Sequence, residues 1–252
     1  MIGIFDSGSG GLTVLKAIRE RLKSPDIIYF GDIKNAPYGS RSHEELSHLT
    51  MDSIRFLRAR GARSIVSACN SVSASLALSL LDTLDMTPAR LIEMVAPTVS
   101  LFRKTDKRIM LAATPATIKS GLYRLGFKMI GKEVREVPIP DLAGAIEFGE
   151  PDDVLEKKIR DAFADVDKRS YDVLVLACTH YPLALPLFKK IFDSHIIVDP
   201  ADVVAERTEQ EFWPLEAGDG KTHFVISKDS EHFRTLVQNI FPQLEYTIEV
   251  LS

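Results

Sequence analysis

The chain predicts an α/β fold of two pseudo-symmetric lobes, each a mostly parallel sheet flanked by helices, and three observations carry that prediction. Short runs rich in β-branched and apolar residues alternate with longer stretches whose apolar residues fall at helical spacing. Two of the runs end alike. Ser64-Ile65-Val66-Ser67-Ala68-Cys69-Asn70-Ser71 and Asp172-Val173-Leu174-Val175-Leu176-Ala177-Cys178-Thr179 each read as a buried strand closing on Ala-Cys and small polar residues, with a helix to follow. The two cysteines stand 109 positions apart, close to the length of one small α/β domain. In open α/β sheets ligands bind beyond the carboxyl ends of the strands, so both thiols converge on one active-site cleft if the lobes face each other.

In chain order the strands are Ile2–Phe5, Ile27–Phe30, Ser64–Ser67, Leu91–Met94, Ile109–Ala112, Val134–Val137, Val173–Ala177, Ile196–Val198 and His223–Ile226. Each is a short apolar run bounded by polar or turn residues, as in a sheet covered on both faces. Between them, Leu12–Leu22, Glu44–Arg60, Thr117–Leu125, Val154–Phe163, Leu183–Phe192 and Ala201–Phe212 place charges between apolar residues at helical spacing. No Gly/Ser-rich linker or low-complexity segment separates the lobes. Ala96-Pro97 and Pro200-Ala201 are the points where the chain can cross.

Composition narrows the function. The 252 residues are 45% hydrophobic and 26% charged, the balance of a soluble globular protein. A formal net charge of −4 lacks the basic footprint of a protein that grips nucleic-acid phosphates. No apolar run approaches the ~20 residues needed to span a bilayer. Met1 leads directly into Ile2-Gly3-Ile4-Phe5 without a secretory signal, which makes the cytoplasm the expected compartment. Two cysteines are too few for a disulfide scaffold, and a reducing compartment keeps them as thiols.

Asp6-Ser7-Gly8-Ser9-Gly10-Gly11 follows the first strand and opens a helix. Its glycines serve either a tight turn or a close backbone approach that cradles an anion. A dinucleotide fingerprint starting at Gly8 fails, because Thr13 stands where its last glycine belongs. Gly31-Asp32 and Pro37-Tyr38-Gly39 form a second loop beside the first, ordinary as a turn and suited by position to hold the far end of a ligand.

Cys69, followed by Asn70 and Ser71, is placed at a helix start where partial positive charge favours thiolate over the ordinary thiol pKa of ~8.5. Cys178 repeats that frame, with Thr179 to bind, His180 to share or accept a proton, and Pro182 near the first turn of the next helix. Either cysteine alone reads as an inert buried hydrophobe; the matched pair points to chemistry. A Cys-x-His with one remote Cys offers three soft ligands where a structural zinc wants four. A Cys-His nucleophile of the thiol-hydrolase kind remains open, although it leaves one strand-end cysteine without a role.

Taken together, these five motifs, the last being Cys178-Thr179-His180-Tyr181-Pro182, resemble the glutamate racemases of the aspartate/glutamate racemase superfamily in order and spacing over the whole chain. The resemblance implies a first lobe of residues 1–95 completed by 205–252, a second lobe of 96–204, no pyridoxal phosphate or metal, and in many members a homodimer. It implies a racemase that interconverts L- and D-glutamate and supplies D-glutamate for peptidoglycan. An aspartate or broad-specificity racemase, or a non-catalytic ligand-binding member, is the alternative.

Inverting a stereocentre takes a proton from one face and returns one to the other, so two bases are required. By resemblance, Cys69 deprotonates the D-enantiomer and Cys178 the L-enantiomer, with Asp6 and His180 adjusting the thiols and Glu147 on the histidine's side. Asp6, Ser7, Tyr38, Gly39, Asn70, Ser71, Thr114, Thr117, Thr179 and His180 resemble the substrate-holding set. With no cofactor as electron sink, such fixed dipoles must stabilise the developing charge. Ala113, Ser71, Val72, Pro138-Ile139-Pro140 and Asp199-Pro200 depart from the usual pattern, and the N-terminal extension through which some members sense a cell-wall precursor is not expected here.

Overall fold

Residues 1–75, 90–192 and 196–251 are described by a computed structural model, with the side chains of 74 and 75 left aside. Among the described residues, ten strands form two parallel sheets: β1 (Ile2–Asp6), β2 (Ile27–Gly31), β3 (Ser64–Ser67), β4 (Leu91–Ile92), β5 (Ile109–Ala113), β6 (Val134–Pro138), β7 (Val173–Ala177), β8 (Ile197–Val198), β9 (Thr222–Ile226) and β10 (Tyr246–Val250). The first sheet runs β10-β9-β2-β1-β3-β4 and the second β6-β5-β7-β8. The second order repeats the β2-β1-β3-β4 part of the first, which is the expected pseudo-symmetry, and β9 and β10 extend one edge. Cys69 and Cys178 follow the equivalent strands β3 and β7.

The inner strands β1, β2, β3, β5 and β7 are buried along their whole length, as in parallel sheets covered by crossover helices. Alternate residues supply opposite cores. In β1, Ile2 and Ile4 join the core with the Leu12–Arg21 helix, while Phe5 packs on the other face with Ile28, Phe30 and Leu57. In the second sheet Leu174 and Leu176 face one core and Val173, Val175 and Ala177 the other. Around the crossing points, Met94 belongs to a core of the first sheet and Val95 to one of the second; on the return, Val198 packs with the second and Ala201 with the first. No described helix is long and apolar enough to cross a membrane.

The structure alters several expected elements. The stretch expected as one helix, Thr117–Leu125, is two helices, Pro115–Ser120 and Leu122–Met129, because Gly121 between them sits at φ +67° in the left-handed region. Its first turn is set by the Thr114 hydroxyl accepting from the Thr117 N–H at 3.2 Å, with Pro115 at the first helical position. The fourth strand stops at Ile92 rather than Met94. After Cys69 comes a 3-10 helix, Asn70–Ser75, and any helix beyond Ser75 lies outside the described residues.

Three described helices and one strand were not expected: Val95–Ser100, Leu142–Glu147, Glu231–Ile240 and β10. All six residues of Leu142–Glu147 are buried, so that helix carries no polar face for a periodicity to reveal. β10 is an edge strand of half-buried and exposed residues that gains its place by pairing with β9. Phe224 in β9 ties this edge to the first lobe, its buried ring contacting Tyr29, Phe233, Phe241 and Tyr246. Phe224→Ala is expected to destabilise the chain by about 3–5 kcal/mol in denaturant unfolding. A loss below about 1 kcal/mol would show that the extended edge is not integral to the lobe.

Candidate active site

At the carboxyl end of β1, Asp6 is wholly buried and pairs through its backbone with Gly31 of β2. Its Oδ1 accepts from the Gly8 N–H at 3.0 Å and its Oδ2 from the Thr179 hydroxyl of the second lobe, also at 3.0 Å. Burial pushes the Asp6 carboxyl above its ordinary range, against the opposing pull of His180 and of these hydrogen bonds.

Cys69 and Cys178 are free thiols, each 5% exposed. The Cys69 Sγ donates to the Ser7 hydroxyl at 3.8 Å. Burial pushes the Cys69 thiol up to about 12, and the negative charges of Asp6 and Cys178 push the same way. That differs from the thiolate expected at a helix start. The reason is that removal from water penalises the charged form more than the hydrogen bonds from Ser7 and Ser71 favour it.

Two positions beyond Cys178, His180 Nε2 lies 2.7 Å from Glu147 Oε2. Burial works against a charged imidazole, but Cys178 and Glu147 outweigh it and raise His180 well above its ordinary value. Burial likewise disfavours the Glu147 carboxylate, yet His180 and the N–H and hydroxyl of Ser9 bring it below the ordinary range. Glu147 is 2% exposed, not a solvated helix-face carboxylate. The glycine-rich loop does cradle an anion, and that anion is the chain's own: the Ser9 N–H and Oγ both donate to Glu147 Oε2 at 2.7 Å.

Further bonds span the lobes. Ser71 and Thr114 hydroxyls meet across the cleft at 2.9 Å, and within the second lobe Thr114 also meets the Thr117 hydroxyl at 2.9 Å. Tyr123, absent from the expected set because its helix position reads as core, donates its hydroxyl to Asn70 Oδ1 at 2.6 Å. The amide is thereby oriented, and Asn70 Nδ2 is buried with no partner among the described residues, as is Glu147 Oε1. A buried donor and acceptor left open in a cleft are what a polar ligand would satisfy.

Glycine is required where the lobes touch. A Cβ on Gly10 would lie 2.6 Å from His180 Nδ1, and one on Gly39 would lie 2.8 Å from Thr114 Cγ2. Tyr38 sits differently from the hydroxyl-supplying role expected of it. Its ring packs against Phe5 and its hydroxyl donates to Asp32 Oδ2 at 2.6 Å, so what remains for a ligand is its backbone. Asp32 also accepts from Asn35 and Ser227, which makes it the anchor of that loop. Of the departures from the family pattern, Ala113 ends β5 in the core and Val72 is fully buried.

The lobes touch through direct hydrogen bonds. The cavity beside Gly39, Thr114 and Asp141 holds only about 30 Å³, room for roughly one water. A groove of about 780 Å³ lined by Val99, Leu125, Met129 and Arg207 is larger, but none of the thiols, Asp6, His180 or Glu147 lines it. Chemistry, not volume, marks the site. Among the described residues no group of three His, Cys, Asp or Glu side chains is gathered as a metal ion would need.

Fold and site together define an α/β enzyme whose ionisable side chains meet between two lobes. The model of the Asp/Glu/hydantoin racemase family matches residues 2–208, and the chain belongs to that family; it is an isomerase. It is 36% identical over 252 residues to the glutamate racemase of Aquifex pyrophilus, covering 99% of this chain and 93% of that protein. With the glutamate racemase of Aquifex aeolicus it shares 33% identity over 95% of this chain and 93% of the other. Among solved structures it is similar to a glutamate racemase isoform from Bacillus anthracis, with a TM-score of 0.87 and 26% identity, covering 100% of this chain and 97% of that one. The glutamate racemase of Francisella tularensis in complex with D-glutamate aligns with a TM-score of 0.86 at 26% identity over the same shares. The resemblance read from the five motifs is borne out.

Because burial holds Cys69 protonated, its alkylation by chloroacetamide, followed by peptide mass spectrometry, is expected to keep accelerating above about pH 10. A rate that levels off near the free-thiol value of ~8.5 would contradict the environment described for Cys69.

Proposed function

We propose that the chain is a cofactor-independent glutamate racemase in which Cys69 and Cys178 exchange the α-proton of one substrate from opposite faces. The observation that carries this reading is a pair of buried free thiols just beyond the equivalent ends of β3 and β7, with the residue after Cys178 bonded across the cleft to Asp6. Two adjacent thiolates repel, so one stays protonated when the other ionises. Racemisation needs that state: a thiolate to take the Cα proton and a thiol opposite to deliver one.

In the L-to-D direction Cys178 thiolate removes the α-proton, electrons move onto Cα and its carboxylate, and the Cys69 thiol gives its proton to the other face. The reverse direction exchanges the roles. His180 beside Cys178 and Asp6 beside Cys69 tune the two sulfurs, with Glu147 behind the histidine. The substrate ammonium would favour thiolate formation in a site that otherwise resists negative charge. Ser7, Asn70, Ser71, Thr114, Thr117 and Thr179, with the backbone at Tyr38 and Gly39, are the substrate-holding set, and the unpartnered Asn70 amide is the donor we assign first. Lobe opening admits the substrate and closure removes water. Substrate preference follows the names of the relatives. The physiological reading is a cytoplasmic homodimer supplying D-glutamate for peptidoglycan.

Each glutamate enantiomer incubated with the protein in heavy water, without added pyridoxal phosphate, is expected to invert with deuterium entering Cα. Cys69→Ala and Cys178→Ala should each lose about a thousandfold or more in turnover. Full activity in either variant rejects the two-base assignment. Faster turnover of aspartate than of glutamate rejects the substrate.

A further inference from the structure

We propose that Ser9 is a positioning residue for the Cys178 half of the reaction, reaching across the cleft to hold Glu147 so that Glu147 holds His180 against the Cys178 sulfur. This rests on the two-thiol reading above and extends it to a residue with no assigned role.

Ser9 lies in the loop between β1 and the Leu12–Arg21 helix of the first lobe and is 0% exposed. Its hydroxyl and N–H are both spent on one atom of the second lobe, Glu147 Oε2, which also meets His180 Nε2. Three donors on one oxygen keep the carboxylate anionic and fix its plane. The other oxygen is buried without a hydrogen-bond partner, so no donor on that side aims the carboxylate. With the Ser9 hydroxyl gone, the Ser9 N–H remains and the lobes still meet, but the carboxylate loses one of the two contacts that aim it from the opposite lobe.

The dependence is one-sided. The Cys69 thiol donates to Ser7 and is faced by Asp6, both of its own lobe. His180 at Cys178 is steadied by a carboxylate that is itself steadied from the other lobe. Asp6 is also tied to the second lobe, by Thr179, but not through Ser9, so it is dependence on Ser9 that belongs to the Cys178 face alone.

Primary isotope effects separate this role from a structural one. L- and D-glutamate interconvert with an equilibrium constant of one, so Ser9→Ala must lower kcat/KM equally in both directions, by about tenfold on loss of one charge-assisted hydrogen bond. The α-deuterium effect on kcat/KM should grow for L-glutamate, whose proton Cys178 removes, and shrink for D-glutamate. Combined with Glu147→Gln, Ser9→Ala should cost less than about twofold further, because the two residues act through one contact. Ser9→Gly lacks the same hydroxyl and should behave alike, which keeps the test available if Ser9→Ala does not fold. Isotope effects that move together or stay put, or losses that multiply in the double variant, overturn the role of Ser9 alone. Retained activity in Cys69→Ala or Cys178→Ala would instead overturn the two-thiol reading beneath it.

Discussion

Glu147 stays ionised inside a closed, water-poor cleft because Ser9 from one lobe and His180 from the other both donate to its Oε2. A buried carboxylate without such partners would cost several kcal/mol and take up a proton instead. The ionised form is what lets His180 hold positive charge next to Cys178. Separating the lobes removes the Ser9 donors, so the electrostatics of the second thiol and the closure of the fold are one condition.

The same logic runs through the other contacts between lobes. Asp6 is bound by Thr179, Ser71 by Thr114, and Asn70 by Tyr123. Each bond joins a loop at a strand end of the first sheet to an element of the second. Parallel sheets direct all their carboxyl ends to one side, so two of them facing each other concentrate loops, helix starts and polar side chains in one seam. Glycines 10 and 39 let those loops approach within contact distance.

Burial then sets the chemistry. Cys69 has the features of a reactive cysteine in sequence, a strand end followed by small polar residues, yet desolvation outweighs the helix start and leaves it a thiol. For the two-thiol reaction proposed above, which needs one sulfur protonated and the other not, a site resisting double ionisation is suited to the task. The low dielectric that penalises a lone thiolate also strengthens its attraction to a bound ammonium.

Much of this was written in the chain. The alternation of strands and helices, the repeated Ala-Cys frames and the two loops after the first strands are local patterns, decided by periodicity and backbone sterics within a few residues, and they disclosed the α/β class, the doubled lobe and the family. Short buried elements such as Leu142–Glu147 escaped because a segment buried all round has no amphipathic signature, and β10 escaped because its stability comes from its neighbour. Only the tertiary structure decided that Ser9 meets Glu147 across 138 positions of chain, that Tyr123 orients Asn70, and that the Tyr38 hydroxyl belongs to Asp32. Those are facts of distance and dielectric between segments remote in sequence, and no local pattern encodes them.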